Sequence, residues 1–172
     1  MASVKTPDAR RAIAAGVAAE LTVGVAESIT GGSVCAALVG VPGASAVVRG
    51  GIVAYDASLK MSLLGVSASL LETHGPVSAE VAAAMASGVR EATGADVGVA
   101  TTGAAGPEPH GGKAPGTAFV AIDVGGVVEV VSLVLAGDRD AVRAAVRDAA
   151  LLALADTLTS LNAEGRARGE HA

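Results

Sequence analysis

Three short stretches gather side chains that could do chemistry: Glu27-Ser28-Ile29-Thr30-Gly31-Gly32, Tyr55-Asp56 with Lys60, and Thr101-Thr102-Gly103. A serine hydroxyl is a poor nucleophile until a base takes its proton, and a lysine amine can be that base. To work near pH 7 the lysine must fall roughly 2–3 units from about 10.4, through burial or nearby positive charge. Lys60 falls in the first turns of a helix that starts after Tyr55, where the helix dipole disfavours an ammonium. Ser28 and Lys60 thus form a candidate nucleophile–base pair, with Tyr55 as a proton relay or an orienting donor. An ordinary capped turn at Ser28 and a solvated Lys60 would present the same residues without chemistry.

The elements that must position these groups are read from periodicity and caps. Thr6-Pro7-Asp8 with Ile13, Val17 and Leu21 predicts a helix over 7–20. A strand over 22–26 runs into the Ser28 turn, and a second helix follows through Val34, Ala37 and Leu38. Residues 46–55 read as a strand in which Gly50-Gly51 marks a bulge. Asp56 caps a helix over 57–64 that stops at Gly65, and Ser78 caps another over 79–93 that stops at Gly94. A strand over 96–101 enters the Thr102–Gly116 loop. Strands over 117–124 and 127–135 flank Gly125-Gly126, a hairpin signal, and a last helix spans about 138–161. Alternation of strands and helices makes the chain α/β. Residues 1–162 are expected to form one domain and 163–172 a polar, frayed tail.

Ser28 lies where a strand meets a helix N-terminus, so free N–H groups around Thr30, Gly31 and Gly32 could hold a phosphate or an oxyanion. The stretch is neither a Walker loop nor a dinucleotide fingerprint. His74, His110 and His171 have no metal-ligand spacing, so no metal is expected. Cys35, the single cysteine, excludes an intrachain disulfide and reads as core packing.

Composition narrows the partners. Among 172 residues there is one Tyr, one Phe and no Trp, which leaves almost nothing for bases to stack on. The net charge of −5 removes the basic footprint of a nucleic-acid binder. Mean hydropathy is +0.56, enough for a substantial core, yet the longest late apolar run, 149–155, is far too short to span a bilayer. With no signal-peptide core near the start, a cytoplasmic location is expected.

Taken in order, several segments resemble one known family. Val25-Ala26-Glu27-Ser28-Ile29-Thr30-Gly31-Gly32 is similar to its "AESCTGG" motif. Gly50-Gly51-Ile52-Val53-Ala54-Tyr55 leads to Lys60, and His74-Gly75-Pro76-Val77-Ser78 precedes a helix. Thr102-Gly103-Ala104-Ala105-Gly106-Pro107 is similar to "TGIAGP", and Gly137-Asp138-Arg139 opens the last helix. The pattern resembles the CinA C-terminal domain, the nicotinamide-nucleotide amidase family. The resemblance implies a three-layer α/β/α sandwich with a mixed, mostly parallel sheet, a homo-oligomer (dimer or larger), and no cofactor. It also implies a small-molecule nucleotide substrate, nicotinamide mononucleotide, hydrolysed to nicotinate mononucleotide and ammonia. By motif, Ser28 matches the nucleophile and Lys60 its base, with Tyr55 and Thr102 supporting catalysis. Thr30, Gly31, Gly32, Gly103 and Arg139 match substrate-binding positions, with Arg143 the second choice for the functional arginine.

The chain departs from the family pattern in three places. Ile29 replaces a Cys, Asp56-Ala57 replaces Ser-Asn, and the 108–117 loop is altered in order and length. A carboxylate at position 56 would raise the pKa of Lys60 and weaken it as a base. Two further readings stay open on these grounds: a non-catalytic binding or regulatory module of the same fold, and an amidase for a different small amide.

Overall fold

A computed structural model describes residues 7–169. Five strands form one mixed sheet in the order β2-β1-β3-β4-β5: β1 (Val23–Glu27), β2 (Val48–Val53), β3 (Val97–Gly103), β4 (Thr117–Val124) and β5 (Val127–Val134). β1 lies between β2 and β3, parallel to both, whereas β4 runs antiparallel to β3 and β5. The sheet is therefore mostly parallel in strand direction, with only β4 reversed. Gly125 and Gly126 both take positive φ, as the tight β4–β5 turn requires. The anticipated bulge also forms, one residue early: Val23 and Gly24 pair with Val48 and Gly50, leaving Arg49 extra.

Helices cover both faces. On one, α1 (Pro7–Ala19), α2 (Ser33–Val39) and α6 (Arg139–Gly169) bury Ile13, Leu38, Leu151, Leu154 and Leu158 against Val25, Val99 and Val120. On the other, α3 (Ala57–Leu64), α4 (Ala68–His74) and α5 (Ala79–Thr93) pack Leu64, Val81, Met85 and Val89 against Ala26, Ala100 and Ala121. The result is a three-layer α/β/α sandwich. Alanines on the sheet face under α5 let that helix lie close. At Gly88 α3 meets α5 as closely: a Cβ there would sit 1.9 Å from the Leu64 carbonyl oxygen, so the end of α3 rests directly on α5. No helix among the described residues is long and apolar enough to cross a membrane.

Helices α3 and α5 form with the expected bounds because their caps act locally. The Asp56 and Ser78 side chains accept from Ser58 and Val81 amides, and Gly65 and Gly94 end the helices in the left-handed region. Elsewhere the sequence expectation needs correction. The strand read over 46–55 shrinks to Val48–Val53, because Ala44–Ala46 form a 3-10 turn. Helix α4 was not expected: it has no fully buried residue, hence no clean apolar stripe, although Ser67 caps it. The last helix runs to Gly169 instead of stopping near 161, so most of the supposed frayed tail is helical. The polar stretch after Leu161 read as a tail, but its Ala, Glu and Arg residues are good helix formers and carry the helix through Gly165. Residues 170–172 of that tail lie outside the described residues.

Candidate active site

The connections out of β1 and β2 place the site. From β1 the chain crosses one face through α2 to β2. It then crosses the other face through α3, α4 and α5 to β3, on the opposite side of β1. The carboxyl end of β1 is thus where the strand order reverses, the position at which open α/β sheets leave a crevice. Ser28 is the first residue beyond that end. Its amide still donates to the Thr101 carbonyl (3.0 Å), so it is held in line with the sheet.

Strand alternation separates neighbouring side chains. Glu27 turns toward α2, where its carboxylate accepts from the amides of Gly32 (2.9 Å), Val34 (3.0 Å) and Cys35 (2.8 Å). Ser28 turns toward α3 and meets Lys60. The Lys60 Nζ lies 2.9 Å from Ser28 Oγ, 2.7 Å from the Ala54 carbonyl and 3.3 Å from the Tyr55 carbonyl. As an ammonium, Lys60 donates to all three oxygens. As a neutral amine it keeps two N–H donors for the two carbonyls, and its lone pair is left to accept from the Ser28 hydroxyl.

Lys60 is only 2% exposed. Burial lowers its pKa to about 8, while the charge of Asp56 pulls it back upward. The opposing pull foreseen from the sequence is present, and burial outweighs it. Asp56 itself is held below the usual carboxylate range by the Ser58 hydroxyl and amide that it accepts from.

Beside this pair opens a cavity of about 410 Å³. Ser28, Tyr55, Asp56, Pro76, Gly103 and Arg139 line it, together with the 104–110 loop. The loop's base is closed by Ala104–Thr117 and Gly116–Ala104 backbone bonds, its tip by reciprocal bonds between His110 and Lys113. His110 and Glu108 form part of the wall. Among the described residues no three His, Cys, Asp or Glu side chains gather as a metal-ligand set.

The other anticipated residues divide by position. Tyr55 is 61% exposed, and its hydroxyl accepts from Arg139 Nη2 at 3.0 Å. Its backbone carbonyl, not its hydroxyl, meets Lys60, so the relay read from the sequence is not formed. Arg139 also donates to the Gly106 carbonyl (2.9 Å), which binds the 104–110 loop to the start of α6. Arg143, one turn later, instead donates to the Ile29 and Thr30 carbonyls and braces the turn behind the serine. Of the two arginines, the cavity therefore contains Arg139.

Thr102 is buried, and its hydroxyl donates to the Pro76 carbonyl at 2.7 Å, supporting a cavity wall without touching Ser28 or Lys60. Thr30 is fully buried and shares a hydrogen bond with Thr101. Neither Thr30 nor Gly31 nor Gly32 lines the cavity, whereas Gly103 does. Of the amides read from the sequence as anion donors, Glu27 takes that of Gly32, together with those of Val34 and Cys35 at the start of α2. Sequence reasoning passed over Glu27. The signal was an acid beside the serine, within reach of the following helix start.

Residues 7–158 match the family profile described as the CinA C-terminal domain. The chain belongs to the CinA C-terminal domain family. A CinA-like protein of Frankia casuarinae is 49% identical over 122 residues, 71% of this chain and 28% of the relative. A putative competence-damage inducible protein of Bacillus velezensis is 43% identical over 123 residues, 72% of this chain and 30% of the relative. The matched stretch is thus less than a third of these curated relatives. Solved structures match almost end to end. A CinA superfamily protein of Klebsiella pneumoniae aligns with TM-score 0.86 and 30% identity, over 93% of this chain and 99% of that one. A competence/damage inducible protein of Agrobacterium tumefaciens gives TM-score 0.83 and 35% identity, over 91% and 94%.

Proposed function

We propose that this CinA-family chain is an amidohydrolase that converts nicotinamide mononucleotide and water to nicotinate mononucleotide and ammonia. The observation that carries the reading is a buried lysine of lowered pKa, 2.9 Å from a serine hydroxyl at the wall of a cavity. The family resemblance supports the choice of nucleotide.

In this mechanism Lys60, as the neutral amine, accepts the Ser28 proton while Oγ attacks the carboxamide carbon. The amide N–H of Ile29, directly after the nucleophile, is a candidate donor to the oxyanion. Lys60 then gives its proton to the nitrogen, the C–N bond breaks and ammonia leaves, with the acyl group as an ester on Ser28. A water, deprotonated by Lys60, attacks that ester. The carboxylate departs and Ser28 recovers its proton. Arg139, held by Tyr55 and Gly106, is the cavity's fixed cation and supplies donors for the substrate phosphate.

The test is ammonia release from nicotinamide mononucleotide by purified protein, compared with Ser28→Ala. Release that depends on Ser28 is expected. A rate no greater than that of the variant would overturn the reading. Release from other primary amides, but not from this nucleotide, would overturn the substrate assignment and leave the amidase.

A further inference from the structure

Hydrolysis of a primary carboxamide changes the charge of the reacting group: a neutral CONH2 becomes a carboxylate at the same place in the cavity. Any fixed charge close to that place therefore acts differently on substrate and product. Asp56 is such a charge. It lines the same cavity as Ser28 and caps α3 just ahead of Lys60, close enough for its charge to act on the Lys60 ammonium. Its Oδ1 accepts from the Ser58 amide (2.8 Å) and hydroxyl (2.6 Å), which fixes the carboxyl in place and leaves Oδ2 without a partner among the described residues. The cavity wall also carries Glu108, His110 and Arg139, and Lys60 is buried behind Ser28. Asp56, Glu108, His110 and Arg139 are all exposed; Glu108 and His110 stand on the loop, Arg139 keeps its charge while donating to the neutral Tyr55 and Gly106, and Asp56 is the carboxylate on the Lys60 side of the cavity. Lys60 loses its charge in the working form.

We propose that Asp56 is a specificity-determining residue that discriminates carboxamide from carboxylate at the reacting end of the cavity, disfavouring the acid product and speeding its release. The proposal rests on the amidohydrolase reading above. It assigns Asp56 a role separate from capping α3, and the two roles respond to different substitutions. Asparagine keeps the cap and removes the charge; alanine removes both.

The test is calorimetric binding of nicotinamide mononucleotide and nicotinate mononucleotide to Ser28→Ala, alone and combined with Asp56→Asn or Asp56→Ala. The two nucleotides share ring, ribose and phosphate, so the ratio of their dissociation constants isolates the amide-to-carboxylate change. Asp56→Asn is expected to shift that ratio about three- to tenfold toward the acid, with Asp56→Ala shifting it equally. A structural role would move both affinities together and leave the ratio alone. A ratio unchanged in Asp56→Asn, or shifted only in Asp56→Ala, would overturn the proposal while the amidohydrolase reading stood. If neither nucleotide binds, the nucleotide reading itself fails, and the role of Asp56 falls with it.

Discussion

Raising the pH is the most direct perturbation of the Ser28–Lys60 pair, because only the neutral amine can take the serine proton. With Lys60 at about 8, its neutral fraction is about one-eleventh at pH 7, half at pH 8 and about ten-elevenths at pH 9. At the ordinary 10.5 the fraction at pH 7 would be about 300-fold smaller, which is the catalytic return on burying the lysine. Initial rates of ammonia release, analysed as kcat/KM, are therefore expected to rise nearly tenfold per unit up to pH 7.5 and level off above pH 9. The limb should be read above pH 7, since a phosphate monoester ionises near pH 6. Lys60→Arg, whose guanidinium stays charged, should lose about 10²- to 10⁴-fold and recover nothing at high pH. Stability gives an independent readout. Between pH 8 and 10.5 the unfolded chain holds the lysine proton and the folded chain has released it, so stability rises with pH across that window. Relative to Lys60→Met, the wild type should gain at most about 3 kcal/mol from pH 8 to 10.5 in urea unfolding. A flat rate profile, or a midpoint below pH 7, would refute the assignment of Lys60 as base.

Two other outcomes follow from contacts at the edge of the site. Glu27→Ala strands three amides at the start of α2, and should cost about 3 kcal/mol or more by chemical denaturation; a loss under 1 kcal/mol would show that water replaces the carboxylate. Tyr55→Phe frees one arm of Arg139 while leaving an exposed ring in place. Activity should fall about three- to tenfold, mainly through KM, with stability within about 0.5 kcal/mol of wild type. Unchanged kinetics would remove the Tyr55 hydroxyl from the site.

Legibility in the sequence followed the range of the forces involved. Helices α3 and α5 could be bounded to the residue because Asp56, Gly65, Ser78 and Gly94 act on amides and carbonyls only a few residues away. The Gly125-Gly126 turn was legible for the same reason. Helix α4 was not, since its Leu70 and Leu71 are only partly buried and leave no periodic stripe. Thr102 and Thr30 looked alike as polar residues near strand ends. Their hydroxyls were committed to Pro76 and Thr101 by packing between segments far apart in the chain, which no local pattern reports.

By itself the sequence determined the α/β alternation, the family, and the two residues, Ser28 and Lys60, whose chemistry is complementary. Period-2 alternation also dictated that Glu27 and Ser28 face opposite sides of the sheet. Tertiary structure alone decided what each side chain meets there. Glu27 takes the Gly32 amide that had looked like part of an anion site, and Arg139 rather than Arg143 reaches the cavity. It also decided the state of Lys60. A lysine's pKa depends on how much water and charge surround it, and the packing of α3 on α5 at Gly88 buries Lys60 at the end of β1.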